Sequence, residues 1–214
     1  MNSKFRITSI VLILLAFAES FWAYSRLPEK VATHWDAAGQ VNGYMGRFGG
    51  AFFLPLLLLG LFIVFLIIPA IDPKKQNISK FRNSYELFIA IFVVFLTYVH
   101  SLSLAYNLGF EFNLTRAMIP ALGILFFSIG FIIEKAKPNW FIGIRTPWTL
   151  SNETVWEKTH RLGGFLYKIS GVITLLGILL PPATSFFFVI GPIILSSICL
   201  LIYSYLEYKK ISKQ

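Results

Sequence analysis

The sequence predicts an all-α, polytopic membrane protein with six transmembrane helices, and three observations indicate this class. Hydrophobic residues make up 56% of the 214 positions and charged residues only 14%, with a mean hydropathy of +0.69, which is far from ordinary soluble usage. The apolar residues form continuous blocks, most of them about 18 residues or longer, rather than the periodic stripes of a soluble helix. Basic residues concentrate in alternate connections between the blocks, which is typical of membrane-inserted chains.

Six apolar blocks are predicted to be transmembrane helices of a single membrane domain that covers residues 1–214. A helix needs about 20 residues to cross the hydrocarbon core, so the fifth block is short and the others suffice. Lys168 lies one turn into that fifth block, where its long stem can carry the ammonium group toward the headgroups. The predicted spans are residues 7–25, 51–71, 87–107, 117–133, 165–180 and 186–208.

The first block also has features of a signal peptide. Lys4 and Arg6 precede a short apolar run that ends in Ala-Phe-Ala at residues 16–18, a small-residue pattern like that of a cleavage site. Because the apolar run continues past this site to Tyr24, we expect an uncleaved helix.

The distribution of lysine and arginine predicts the orientation. Fourteen of the nineteen basic residues lie in the N-terminal tail, residues 72–86, residues 134–164 and the C-terminal tail, and four lie in the connections on the other side. The positive-inside rule therefore places both termini in the cytoplasm. The net charge of +9 follows mostly from this asymmetry and favours attraction to anionic lipids, so no nucleic-acid partner is expected.

The outer connection, residues 26–50, is long enough to fold as an extracytoplasmic module. It contains five glycines, which favour turns, together with aromatic residues that suit a membrane interface. We predict a structured hairpin lid with interfacial aromatic residues, and the alternative is a surface that contacts something outside the cell. The candidate contact residues are Pro28, His34, Trp35, Asp36, Gly39 and Tyr44.

The inner connection, residues 134–164, is predicted to form a cytoplasmic loop with a short amphipathic helix over residues 152–162. Ser151 suits the N-cap of this helix, and Gly163 suits the position just after its last turn. Such a helix would lie on the bilayer surface.

Three residues of this helix are candidate metal ligands. Glu153, Glu157 and His160 fall at positions i, i+4 and i+7, which places them on one helical face. The Glu-x-x-His spacing is that of di-iron helix bundles, but such sites need matching ligands from other helices, and the sequence has no second Glu-x-x-His. A solvated, capped helix is therefore favoured, and no metal or other cofactor is expected.

Two motifs carry a resemblance to a known family. The inner stretch "GIRTPWTLSNETVWEKTHRLGG" closely resembles the signature of the SdpI family of bacterial immunity proteins, and "LPEKVATHWDAAGQVNGYMGR" resembles the outer-loop module of unknown function that precedes it in many members. The resemblance implies a multi-pass protein of the bacterial cytoplasmic membrane that protects its producer against a secreted, membrane-active toxin peptide. It also implies, from the best-known member, recruitment of a transcriptional autorepressor from the cytosol to the membrane.

The resemblance assigns twelve motif positions to the inner connection as a partner-docking platform or a clamp on the helix bundle. Arg145 and Arg161 offer planar guanidinium groups to lipid phosphate or an acidic partner, and with His160 we expect them to be exposed. Trp148 and Trp156 are expected to be anchors at the membrane interface. The positions are Asn139, Trp140, Gly143, Arg145, Thr146, Pro147, Trp148, Asn152, Trp156, Thr159, His160 and Arg161.

Two ionisable residues are predicted to lie inside the bilayer. Glu19 and His100 occur at matching distances into two spans that run in the same direction, so they share a depth of about 18 to 20 Å from the cytoplasmic edge. A charged side chain at that depth is costly unless it has a partner. We predict a polar pair, which is either structural or part of a proton or ligand site.

The remaining function classes are less favoured. The sequence has no zinc-protease, nucleophile-elbow, P-loop or dinucleotide-binding motif, so we do not expect an enzyme. A transporter would have broken helices in corresponding halves, and although residues 191–192 (Gly-Pro) interrupt the sixth span, the third span has no such interruption. Transport or efflux is the alternative to immunity. Gly123 and Gly130, seven residues apart, predict close helix packing within the bundle or between chains.

Overall fold

Helices make up most of the structure, a computed structural model that describes residues 3–212. Residues 1–2 and 213–214 lie outside the described part, including Lys213, which was counted in the C-terminal tail. In chain order the elements are α1 (Ser3–Tyr24), β1 (Lys30–Trp35), β2 (Val41–Gly46), α2 (Arg47–Ile71), α3 (Lys75–Lys80), α4 (Arg82–Asn107), α5 (Leu114–Lys135), α6 (Pro147–Ser151), α7 (Glu153–Leu176), a 3₁₀ turn (Gly177–Leu179) and α8 (Pro182–Ile211).

Within residues 3–212, six helices are long and apolar enough to cross a membrane, namely α1, α2, α4, α5, α7 and α8. In each of these helices, at most 39% of the apolar stretch of 18 residues is buried inside the structure. So much exposed apolar surface is stable only against lipid, since soluble proteins rarely expose large apolar patches. The chain is therefore a multi-pass membrane protein, as predicted.

The fifth helix differs from the prediction. α7 runs without a break from Glu153 to Leu176, so the predicted surface helix over residues 152–162 and the short fifth span are one helix. Gly163 and Gly164 lie inside this helix and do not end it. Both are buried, and a Cβ atom at Gly164 would lie 2.9 Å from the carbonyl oxygen of Gly130. These glycines therefore allow close packing rather than a helix end.

The six long helices form two groups of three. α1, α2 and α4 contact one another, α5, α7 and α8 do the same, and the contact between α4 and α5 joins the groups. The two-stranded antiparallel hairpin of β1 and β2 lies at one end of the bundle, which we call the hairpin end. At the other end, which we call the loop end, Asp72 after α2 is hydrogen-bonded to Trp140, and Asn77 of α3 is hydrogen-bonded to Pro138.

Among the helices of residues 3–212, α5 and α7 form the most extensive contact. It contains two glycines from each helix, seven residues apart on each: Gly123 and Gly130 on α5, and Gly164 and Gly171 on α7. A Cβ atom at Gly130 would lie 2.7 Å from the carbonyl oxygen of Gly164, and one at Gly171 would lie 2.7 Å from that of Gly123. We call these four residues the glycine seam. The predicted close packing at Gly123 and Gly130 is thus within the bundle.

Prolines inside α2 and α8 free backbone carbonyl groups in the apolar interior. A proline has no N–H, so the carbonyl four residues earlier loses its helical donor and needs another partner in lipid. In each of three cases a hydroxyl group from a neighbouring helix donates to that carbonyl. For Pro55, Pro69 and Pro192 in turn, the bonds run from Ser20 Oγ to Ala51 O (2.6 Å), from Tyr85 Oη to Phe65 O (2.5 Å), and from Thr174 Oγ1 to Phe188 O (3.3 Å).

Candidate functional site

The inner loop, residues 136–152, folds around Asn139. This side chain is fully buried and its amide group makes four hydrogen bonds to backbone. Nδ2 donates to the carbonyls of Lys137 and Ile142, both at 2.8 Å, and Oδ1 accepts from the N–H groups of Phe141 (2.9 Å) and Ile142 (2.6 Å). Asn139 therefore closes a turn that has no regular secondary structure to satisfy its backbone.

Asp72 ties the inner loop to the connection between α2 and α3. Its buried carboxylate accepts from the Trp140 N–H at 3.0 Å and from the Lys74 N–H at 2.6 Å. Nearby, Asn77 Nδ2 donates to the Pro138 carbonyl at 2.8 Å. Asp72 was not among the predicted site residues. The available signal was its isolation: it is a single acidic residue at the end of a span, directly before a basic stretch.

His160 is held as a neutral ring by two backbone groups. Nδ1 lies 2.8 Å from the Trp156 carbonyl, which only accepts, and Nε2 lies 3.0 Å from the Ile144 N–H, which only donates. The proton is therefore on Nδ1 and the lone pair on Nε2. The Ile144 backbone approaches through Gly143, which has a φ of +114° and where a Cβ atom would lie 2.3 Å from Nε2. Glycine is thus required here.

Trp156 supports His160 from inside the bundle. Its side chain is fully buried, its ring stacks on that of His160 with centroids 3.9 Å apart, and Nε1 donates to the Ala136 carbonyl at 2.8 Å. The expectation of an interfacial Trp156 and an exposed His160 was therefore wrong. Because α7 continues into the bundle instead of lying on the bilayer, one side of its first turns packs against the inner loop.

Threonine, proline and asparagine residues of the motif end or begin helices. Thr146 and Thr149 form a capping box at the start of α6, with Pro147 in the first helical turn, and Thr146 Oγ1 donates to Ser204 Oγ of α8 at 3.1 Å. The N-cap of α7 is Asn152, whose Oδ1 accepts from the Val155 N–H at 3.1 Å. Ser151, the predicted N-cap, belongs to α6 instead.

The other motif residues divide by exposure. Arg145 and Arg161 are exposed, and Arg145 Nη1 donates to the carbonyl of Trp140, whose side chain is 48% exposed. Trp148 is half-buried, with its ring centroid 5.1 Å from that of Tyr205. Thr159 is fully buried, and its hydroxyl has no hydrogen-bond partner within residues 3–212. The exposed motif residues thus form a small basic and aromatic surface. The buried motif residues, which we call the clamp, are Asn139, Thr146, Trp156, Thr159 and His160.

The three candidate metal ligands do not offer one accessible face. Glu153 and Glu157 are exposed, and Glu157 Oε1 pairs with Lys137 Nζ at 2.9 Å. His160 is buried, and both of its ring nitrogens bind backbone. In the described part of the chain, no group of three or more potential metal-binding side chains occurs.

Glu19 and His100 lie at one level of the α1–α4 contact, but they are not bonded to each other. Each bonds to the serine that follows the other: Ser101 Oγ donates to Glu19 Oε2 at 2.8 Å, and His100 Nε2 lies 2.9 Å from Ser20 Oγ. The His100 ring is fully buried, whereas Glu19 is partly exposed. We call these four residues the polar junction.

The outer connection forms the expected hairpin of β1 and β2. At its tip Asp36 Oδ1 accepts from the N–H groups of Ala38 (2.9 Å) and Gln40 (2.8 Å), and Gly39 adopts a φ of +84°. Trp35 packs edge-on against Tyr106, and Pro28, His34 and Tyr44 are exposed, with His34 hydrogen-bonded to Asn42. Trp35, Asp36 and Gly39 thus build the hairpin, and the other three candidates form its accessible surface.

Asn107 fastens the hairpin to α4, which sequence reasoning did not predict. Its Nδ2 donates to the Ala32 carbonyl at 2.9 Å and its Oδ1 accepts from the Ala32 N–H at 2.7 Å, so the amide continues the strand pairing. Val31 packs on Gly50, where a Cβ atom would lie 2.3 Å from the valine side chain. The hairpin is therefore a firm platform on the helices.

Comparison with known proteins gives matches to both ends of the bundle. Residues 135–204 match the SdpI/YfhL protein family, and residues 11–59 match a domain of unknown function, DUF1648. The chain is 27% identical over 170 residues to Immunity protein SdpI of Bacillus subtilis (strain 168), covering 79% of each protein. No solved structure gives a significant match. The matched regions hold the hairpin and the whole inner loop, so the chain is similar to the SdpI family in both of these parts.

Proposed function

We propose that this chain is a non-enzymatic immunity protein of the bacterial cytoplasmic membrane that protects its cell against a secreted, membrane-active toxin peptide. The observation that carries the proposal is the similarity to Immunity protein SdpI over 79% of both chains. In this proposal both termini are cytoplasmic, as the basic residues predict, and the hairpin faces outward.

The hairpin is the element best suited to meet a toxin. It is fastened to α4 and α2 by Asn107 and Gly50, so its outer surface keeps a fixed shape. Tyr44 is 60% exposed on this surface, beside exposed His34. A rigid surface that carries an aromatic residue and hydrogen-bonding groups fits the contact sites of peptides, where tyrosine is a frequent hot spot.

The test of this surface is survival of a toxin-sensitive bacterium that expresses the protein. We expect wild-type protein to raise survival against an added membrane-active peptide, and Tyr44→Ser to lower protection on the order of tenfold. Phe110→Ser is the matched control, since Phe110 is 64% exposed in the turn after α4 and lies outside the hairpin.

Absence of protection by the wild-type protein contradicts the immunity role and favours transport or efflux. Full protection by Tyr44→Ser, present in the membrane at wild-type amount, contradicts the hairpin contact alone. Equal losses in Tyr44→Ser and Phe110→Ser assign the effect to the whole hairpin end.

We further propose that the exposed motif residues of the inner connection recruit a cytosolic autorepressor. The arginines at positions 145 and 161 are exposed, whereas the clamp residues around them are buried, so recognition and folding rest on different residues. Arginine presents several donors in a planar group, which suits an acidic protein surface.

Membrane co-fractionation of a repressor encoded beside the gene tests this recruitment. We expect Arg145→Ala and Arg161→Ala to abolish co-fractionation while toxin survival stays near wild type, because exposed charges contribute little to folding. Lys135→Ala, an exposed cation of the same end, should keep both properties. Disappearance of both arginine variants from the membrane would make the arginines structural and contradict docking.

A further inference from the structure

A pocket of about 540 Å³ opens at the loop end of the bundle between α1, α2, α3 and α4. It is separate from the inner loop and from the polar junction. Three of its lining residues are cations near the starts of three different helices, and most of the rest are apolar. The lining residues used below are Arg6, Lys75, Arg82, Glu86, Phe65 and Ile89.

The pocket carries an excess of positive charge. Within residues 3–212, no carboxylate forms an ion pair with Arg6 or Lys75, and both side chains are exposed. Arg82 Nε donates to Glu86 Oε1 at 2.9 Å, and the Glu86 side chain is only 4% exposed. This ion pair uses Nε of the guanidinium group and leaves its two Nη groups for another acceptor.

The pocket also extends along apolar helix surface. Phe65 precedes the end of α2 by six residues, and Ile89 follows the start of α4 by seven, which places them about 9 Å and about 10.5 Å along their helices from the loop end. A basic mouth above an apolar wall matches the two parts of a phospholipid, a phosphate group and acyl chains. Basic pockets between transmembrane helices on the cytoplasmic side are known to suit anionic headgroups.

We propose that this pocket binds the phosphate of an anionic phospholipid of the cytoplasmic leaflet. Arg6 and Lys75 contact the headgroup charge, Arg82 offers its Nη groups while Glu86 holds its orientation, and the acyl chains lie along the wall of Phe65 and Ile89. The site joins the first four helices at the loop end. It is independent of the immunity role.

The test is thermal unfolding of the full chain in neutral detergent with added dihexanoyl phosphatidylglycerol, dihexanoyl phosphatidylcholine or inorganic phosphate. We expect phosphatidylglycerol to raise the melting temperature in a saturable way and the other two to have little effect. Arg6→Gln with Lys75→Gln should weaken the apparent affinity for phosphatidylglycerol roughly thirtyfold, since each of the two cations near an anionic surface is worth about 1 kcal/mol. Arg82 stays in place because its loss would leave Glu86 buried without this partner.

The matched control is Lys80→Gln with Lys135→Gln, which removes the same charge from two exposed lysines of the same end outside this pocket. It should respond like wild type. A response to phosphatidylcholine equal to that to phosphatidylglycerol, an equal response to inorganic phosphate, or equal weakening in both double variants would overturn the proposal.

Discussion

The α5–α7 and α1–α4 contacts join helices in one membrane protein by different means. The glycine seam brings the backbones of α5 and α7 so close that a single added Cβ atom would meet a carbonyl oxygen at 2.7 Å. The polar junction joins α1 and α4 through side chains instead, with hydrogen bonds of 2.8 and 2.9 Å. The α5–α7 contact depends on glycines that have no Cβ atom, and the α1–α4 contact depends on polar side chains that form hydrogen bonds.

This difference follows from the physics of helix association in lipid. Lipid tails are as apolar as leucine, so burial of apolar side chains drives little association, and helices are held by close packing and by interhelical hydrogen bonds. An added side chain between closely packed helices costs much stability, because the two backbones cannot make room for it without separating the helices. The loss of one interhelical hydrogen bond costs less stability, because the freed groups often find other partners.

The largest effect is expected at the glycine seam. Gly130→Ala should destabilise the protein by about 1–3 kcal/mol or more. The Cβ atom of the new alanine would lie 2.7 Å from the Gly164 carbonyl oxygen and 2.9 Å from the Lys168 backbone nitrogen. Equilibrium unfolding in mixed micelles containing SDS measures this loss.

Gly60→Ala in α2 is the matched control, since a Cβ there meets no atom within 4 Å and alanine is the better helix former. The comparison breaks if the two variants are equally stable, which would mean that α5 and α7 separate at little cost.

A smaller effect is expected at the polar junction. Ser20→Ala should cost about 1 kcal/mol, within the range of interhelical hydrogen bonds in membranes, because it removes the donor to the Ala51 carbonyl and the partner of His100 Nε2. Ser197→Ala is the control, since this exposed serine bonds only within its own helix. The same unfolding measurement applies.

The proline in α2 sharpens this second prediction. In a Pro55→Ala background the Ala51 carbonyl regains a helical donor, so Ser20→Ala should cost less than in the wild-type chain. If the cost is the same in both backgrounds, the freed carbonyl is not what Ser20 satisfies, and the bond to His100 carries the whole effect.

The sequence predicted which residues belong to the candidate site, but it predicted only part of what each residue does. The motif contained the residues of the clamp, including Asn139, Trp156 and His160, because their sequence pattern is specific. Their burial could not be inferred, since it depends on α7 continuing into the bundle and on the backbone of Ile144 reaching His160. Asp72 lay outside every motif and is recognised only through its bond to the Trp140 N–H.

The membrane class, the six helices and the hairpin follow from the sequence alone, because hydropathy, turn residues and basic-residue counts are local properties of the chain. The place of Gly163 and Gly164 inside a helix depends on tertiary packing, since a glycine ends a helix or packs inside one according to whether a neighbouring helix approaches it. The tertiary structure settles this point. It also decided which polar groups meet. Glu19 and His100 share a depth, but rotation of α1 against α4 pairs each with a serine, and depth along a helix carries no information about that rotation.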